Sequence, residues 1–320
     1  MCPATSPPDD LHRAVDTVVG RCLGISAGED VLVVADPRTR ALGEAFRERA
    51  ARAGADATLA LMDERPTHGA EPPPSVAAAL AAADVFVAPT AKSLSHTAAR
   101  RRATEAGTRG ATLPGVTADL LARVMNVDFD ALQARSAALA ERLDGANDAH
   151  LTCPLGTDLR LDLRGRRGIS DDGDLTRPGA FGNLPCGEGF IAPAGGEGTL
   201  HASSLAAVGL ADPPARLTVQ DGRLTGADGP EGRRFHELLE EHGAPGTNLA
   251  ELGVGTNDRA TLTGNVLEDE KILGTVHVAF GASAAIGGTV SVPVHLDCVV
   301  LNATLSIGDE VVLEAGRLQL

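Results

Sequence analysis

The chain has 320 residues, of which 43% are hydrophobic, enough for one large domain or two ordinary ones and too many for a disordered chain. A net charge of −15 without a basic patch excludes a polyanion-binding protein, because such proteins need clustered cations to displace counterions from phosphates. Aromatic residues make up only 2%, and Tyr and Trp are absent, so the core must be aliphatic and no tyrosine can act as acid or ligand.

In chain order, Asp9 and Asp10 can cap a helix in which Leu11, Val15, Val18 and Cys22 recur at helical spacing. The apolar run 31–35 reads as a buried strand, and Leu42, Phe46 and Ala50 mark one face of a second helix. Strand signals follow at 57–62, 84–88 and 111–116. Helical segments begin at the Pro72–Pro74 run and cover 95–106, 117–125 and 128–144. Regular β–α alternation predicts an α/β domain over residues 1–147 with a mostly parallel sheet and helices on both faces. Ala35-Asp36-Pro37 follows the first strand where a dinucleotide fingerprint would need glycines, so no such site is expected. The run Arg100-Arg101-Arg102 reads as the solvated face of a helix.

From about residue 148 the pattern changes. Gly and Pro become dense between 154 and 198, and strands become short. Asp221-Gly222 marks a hairpin turn, and one clear helix remains near 231–241. Residues 148–320 therefore form a second, β-rich α+β domain. The cysteines at 2, 22, 153, 186 and 298 are odd in number, widely spaced and without a CxxC pair, so they do not read as a disulfide framework. MCPATSPPDD has no basic or apolar leader region, and no apolar run approaches the roughly 20 residues needed to span a bilayer. The expectation is a cytoplasmic protein with no membrane and no nucleic-acid partner.

Residues that can carry chemistry lie between 180 and 300. Glu188 is held on a loop behind Pro185 and Gly187, and Glu251 precedes a small-residue stretch that permits close backbone approach. His277 sits between valines in an apolar strand, where its ring nitrogens need partners. His295 and Asp297 are two apart on a strand and so share a face, joining an imidazole to a carboxylate as divalent cations prefer. Three carboxylates and two imidazoles match the donor set of a two-metal hydrolytic site. Cys298 alternates off the His295 face, and Cys186 reads as a small buried residue. His201 reads as a neighbour of the site or an exposed residue, and His96 as a pocket residue of the α/β domain.

The segments NLPCGEGFIAP, ELGVGTN, EDEKILGTVHVAFG and HLDCVV, in this order, resemble motifs of the thermophilic aminopeptidase family of metallopeptidases. This is the aminopeptidase T group, and the likeness is to its shorter leucyl aminopeptidase branch. The resemblance extends more weakly through residues 90–124. It implies an α/β domain, a β-rich domain, a homodimer and a pair of divalent metals such as Zn, Co or Mn. It places the ligands on Glu188, Glu251, His277, His295 and Asp297, with one of the two glutamates as general base. The longer peptidases carry a catalytic tyrosine where Ala284 stands. The chain is also similar to 2,5-dihydroxypyridine 5,6-dioxygenase, which uses a two-His, one-carboxylate iron(II) site that His277, His295 and Asp297 could form. The leading expectation is metal-dependent hydrolysis of an amide bond in a short peptide or small molecule. The alternatives are iron(II)-dependent ring cleavage of a hydroxylated heteroaromatic and a non-catalytic metal-binding role.

Overall fold

The computed structural model describes residues 8–320, so Cys2 lies outside the described residues. The chain begins with α1 (Pro8–Asp16), continued by a wider turn over Thr17–Cys22. Alternating elements follow: β1 (Asp30–Ala35), α2 (Arg40–Arg52), β2 (Asp56–Leu61), α3 (Pro74–Ala82), β3 (Val85–Ala88), α4 (Ala98–Glu105), β4 (Arg109–Thr112) and α5 (Ala118–Val124). After α6 (Phe129–Leu143) come β5 (Asp148–Thr152), β6 (Asp158–Asp162), β7 (Ile169–Asp171), β8 (Phe181–Asn183), β9 (Glu188–Ile191), β10 (Gly195–Leu205), β11 (Gly209–Gln220) and β12 (Arg223–Ala227). The chain closes with α7 (Pro230–Glu240), α8 (Gly243–Gly246), β13 (Leu249–Gly255), α9 (Val266–Asp269), β14 (Val276–Gly281), β15 (His295–Val300), β16 (Thr304–Ile307), β17 (Glu310–Glu314) and β18 (Arg317–Leu318).

Two compact units result. The first holds the chain up to Val127 together with Gly173–Cys186, and the second holds Asp128–Asp172 and Gly187–Leu320. In the first, a parallel five-stranded sheet runs in the order β2-β1-β3-β4-β8. Its central strands β1 and β3 are almost entirely buried, as expected where helices cover both faces, whereas the edge strand β2 is half-exposed. Leu42, Phe46 and Ala50 of α2 are buried, the face their spacing predicts.

The second unit is built on a 13-stranded antiparallel sheet, with β10-β15-β14-β13-β9-β7 as the run that matters for chemistry. The division differs from a cut at 147/148. Helix α6 belongs to the second unit because it packs directly on β9: a Cβ at Gly189 would meet Leu139 at 2.5 Å and the Ser136 carbonyl at 3.0 Å. Conversely, β8 returns to the first unit and pairs in parallel with β4. Local pattern cannot show either exchange, since both depend on partners distant in sequence. Among the described residues no helix is long and apolar enough to cross a membrane.

Candidate metal centre

Strands β15, β14, β13, β9 and β7 lie side by side and present alternate residues to one face. The registers Gly281↔His295, Ala279↔Asp297, Gly253↔His277 and Gly255↔Glu188 pair each of these candidate ligands with a glycine or alanine. Small partners leave room for large polar side chains. A Cβ on Gly253 would collide with the His277 ring. The opposite face carries Leu252, Val254, Val276, Val278, Phe280, Cys298 and Val300, all fully buried in the aliphatic core. Alternation along the strands thus separates a wet chemistry from a dry support.

Glu251 sits at the centre. Its Oε1 lies 3.4 Å from His277 Nε2 and its Oε2 lies 3.2 Å from His295 Nε2. His277 Nε2 is 3.1 Å from Glu188 Oε2, and His295 Nε2 is 3.6 Å from Asp297 Oδ1. Two groups of potential ligand atoms emerge, Glu188/Glu251/His277 and Glu251/His295/Asp297, each within 4.8 Å, and Glu251 belongs to both. His295 Nδ1 is 2.7 Å from the Ala282 carbonyl and donates to it, which fixes the ring with Nε2 toward Glu251.

Three more charged residues complete the surroundings. Lys271, which follows α9, reaches Glu188 Oε1 at 2.5 Å, Glu270 Oε1 at 2.9 Å and Asp171 Oδ2 at 3.6 Å. Burial pushes the Glu188 carboxyl up, but the charges of Lys271 and His277 outweigh it and hold the group down to about 2. Burial likewise works against Glu251, yet hydrogen bonding to His277 and His295 holds it near 2. For Asp171 and Glu270 burial prevails over the attraction of Lys271, and they rise to about 7 and about 8. Burial works to discharge His277 and His295, but the facing carboxylates keep both well above the ordinary imidazole range.

These donors suit a divalent cation. Carboxylate oxygens and imidazole nitrogens converge, and their protons sit where a cation would satisfy the same lone pairs. Glu188 Oε2 supports the fit: it is buried, faces the His277 ring and has no hydrogen bond. His277 Nδ1 is also buried and makes no hydrogen bond among the described residues.

The chain matches the model of the 2,5-dihydroxypyridine 5,6-dioxygenase (NicX) family over residues 10–320. It belongs to that family. Among solved structures it is similar to 2,5-dihydroxypyridine dioxygenase from Pseudomonas putida KT2440, with a TM-score of 0.83 and 20% identity over 98% of each chain. It is also similar to AmpT from Thermus thermophilus, with a TM-score of 0.70 and 18% identity over 98% of this chain and 99% of that one. No curated protein sequence matches. The two structural likenesses show the fold, and they are the two resemblances that the motifs carry.

Cys298 is fully buried off the ligand face and donates to the Val278 carbonyl; burial and the Asp297 charge push its thiol up. His201 pairs across β10 and β11 with Arg216 and lies outside both ligand groups. His96 belongs to the first unit, is exposed, and its carbonyl accepts from Arg101. Ala284 is exposed in a short turn and offers no hydroxyl. The arginine run needs a correction: Arg101 and Arg102 are exposed, but Arg100 is buried 4.1 Å over the Phe181 ring, with Nε donating to the Ser95 carbonyl. The residues missed by sequence reasoning are Lys271, Glu270 and Asp171. The first two stand inside the motif EDEKILGTVHVAFG, but a charge run reads by default as solvated.

Proposed function

We propose that this chain is a metal-dependent hydrolase acting on an amide bond of a short peptide or small molecule, with two divalent ions bridged by Glu251. The observation that carries this reading is the division of Glu251 between two ligand groups, one oxygen toward each histidine. Glu188 and His277 would complete one ion's protein ligands, and His295 and Asp297 the other's. Ions so held lower the pKa of a bound water toward ~7 and polarise a carbonyl. With Oε1 engaged by Lys271, Glu188 serves as a one-oxygen ligand, and the bridging role falls to Glu251.

A second reading is favoured by family membership: iron(II)-dependent ring cleavage of a hydroxylated heteroaromatic, the class of reaction for which the family is named. It requires two histidines and one carboxylate around one ion. Among the described residues each ligand group instead holds one histidine and two carboxylates, because Glu251 stands between His277 and His295. That arrangement supports the hydrolase reading, as family membership supports the dioxygenase.

The deciding experiment combines elemental analysis of the purified protein with two assays. Two zinc, cobalt or manganese ions per chain and turnover of aminoacyl anilides support the hydrolase. One iron per chain, with oxygen uptake on 2,5-dihydroxypyridine and no anilide turnover, would sink it in favour of the dioxygenase. A metal-loaded protein inactive in both assays points to a non-catalytic metal-binding role.

A further inference from the structure

Apart from the two histidines, the buried ammonium of Lys271 is the one cationic side chain that touches Asp171, Glu188 and Glu270 among the described residues. It is 2% exposed, and the side chains of its partners Asp171, Glu188 and Glu270 are at most 14% exposed. Its backbone is fixed, since the Asn257 amide donates to the Lys271 carbonyl at 2.9 Å and the Lys271 amide donates to Glu268. The surrounding ligand atoms are carboxylate oxygens alone. An ammonium suits such a position, because it donates to oxygens in several directions; imidazole nitrogens, by contrast, are good ligands for transition metals.

We propose that Lys271 is a built-in counter-ion occupying a third cation position beside the metal pair, and that by holding Oε1 of Glu188 it leaves that glutamate only Oε2 to give to a metal. The proposal rests on the reading of Glu188/Glu251/His277 as a metal site. The two oxygens of Glu188 are the second observation behind it: Oε1 is engaged by Lys271, while the buried Oε2 makes no hydrogen bond and faces only the His277 ring, at 3.1 Å. Removing the ammonium charge exposes a pocket of oxygens suited to a hard divalent ion.

The test uses the full chain, stripped with a chelator and dialysed to equilibrium against Mn2+, with metal per chain measured for the wild type, Lys271→Met, Lys271→Gln and Lys271→Arg. The neutral variants should hold one Mn2+ more per chain than the wild type, and Mn2+ should raise their melting temperature more than it raises the wild type's. Lys271→Arg, which keeps the charge, should hold the wild-type number. Folding of a neutral variant only in the presence of Mn2+ would support the same conclusion. Equal metal numbers in folded neutral variants and wild type overturn the proposal. So does failure of both neutral variants to fold with or without Mn2+, since a divalent ion then cannot replace the ammonium. A wild type that binds no Mn2+ overturns the metal reading on which the proposal rests, a result distinct from equal, non-zero metal numbers, which overturn the proposal alone.

Discussion

Buried carboxylates occur in both units, and they are satisfied in opposite ways. Asp36, at the end of β1 in the first unit, is 1% exposed and surrounded by neutral donors: the amides of Arg38 and Thr39 donate to Oδ1 at 3.0 and 3.3 Å, and the amide of Ala91 to Oδ2 at 2.5 Å. Both oxygens are used, and the group ties the loops after β1 and β3 together. Glu188 and Glu251 in the second unit are 5% and 6% exposed, but their partners are charged or titratable side chains, and one oxygen of Glu188 has no hydrogen bond. A carboxylate saturated by backbone amides is a structural joint. One that faces imidazoles and other carboxylates, with an oxygen left without a hydrogen bond, is arranged for a cation.

The largest effect expected from this contrast is at Glu251. If two ions share Glu251 as proposed, Glu251→Gln should strip both, so that metal per chain approaches zero and turnover falls roughly 1,000-fold, beyond the 10–100-fold usual for residues one shell out. Retention of two ions would remove the bridge from the site. Gly253→Ala tests the small-residue floor: the added methyl must displace the His277 ring, and overpacking of this kind costs about 1–3 kcal/mol. Calorimetric titration should then show weaker binding at one of the two sites with the other retained. Asp36→Asn sharpens the opposite side of the comparison. It turns one acceptor into a donor facing the amide of a neighbouring loop, at a cost of about 1–3 kcal/mol by denaturant melting, with metal content unchanged.

The smallest effect is expected at Glu29, which pairs with Arg109 at 2.8 Å inside the first unit. Hydrogen bonding to Arg109 holds its carboxyl below the ordinary value of 4.5. A depressed pKa contributes stability that is present above the unfolded value and is lost as pH falls through the folded one. Glu29→Gln should therefore lower stability by under ~1 kcal/mol at pH 7, and the difference should shrink below about pH 4. A difference that grows on acidification contradicts the pairing.

Most elements of the first unit were legible because each stems from a local rule: apolar runs for buried parallel strands, three-to-four-residue spacing for helices, and Pro or Gly at their ends. His295 and Asp297 were legible for the same reason, since a two-residue step on a strand fixes a common face. His277 was suspected from its apolar flanks, and Glu188 and Glu251 took their weight from motif order alone. Residues such as Lys271 and Asp171 could not be read, because nothing local distinguishes a buried charge from a solvated one.

By itself, then, the sequence determined the α/β and β-rich halves, the aliphatic core and the donor types. Tertiary structure alone decided that α6 leaves the first half and β8 rejoins it, because both depend on pairing partners far along the chain. It also decided the division of Glu251 between two histidines and the placing of an ammonium at Glu188. Registers among β9, β13, β14 and β15 set those distances to within a few ångströms, and register is a property of strands meeting, which no single strand carries.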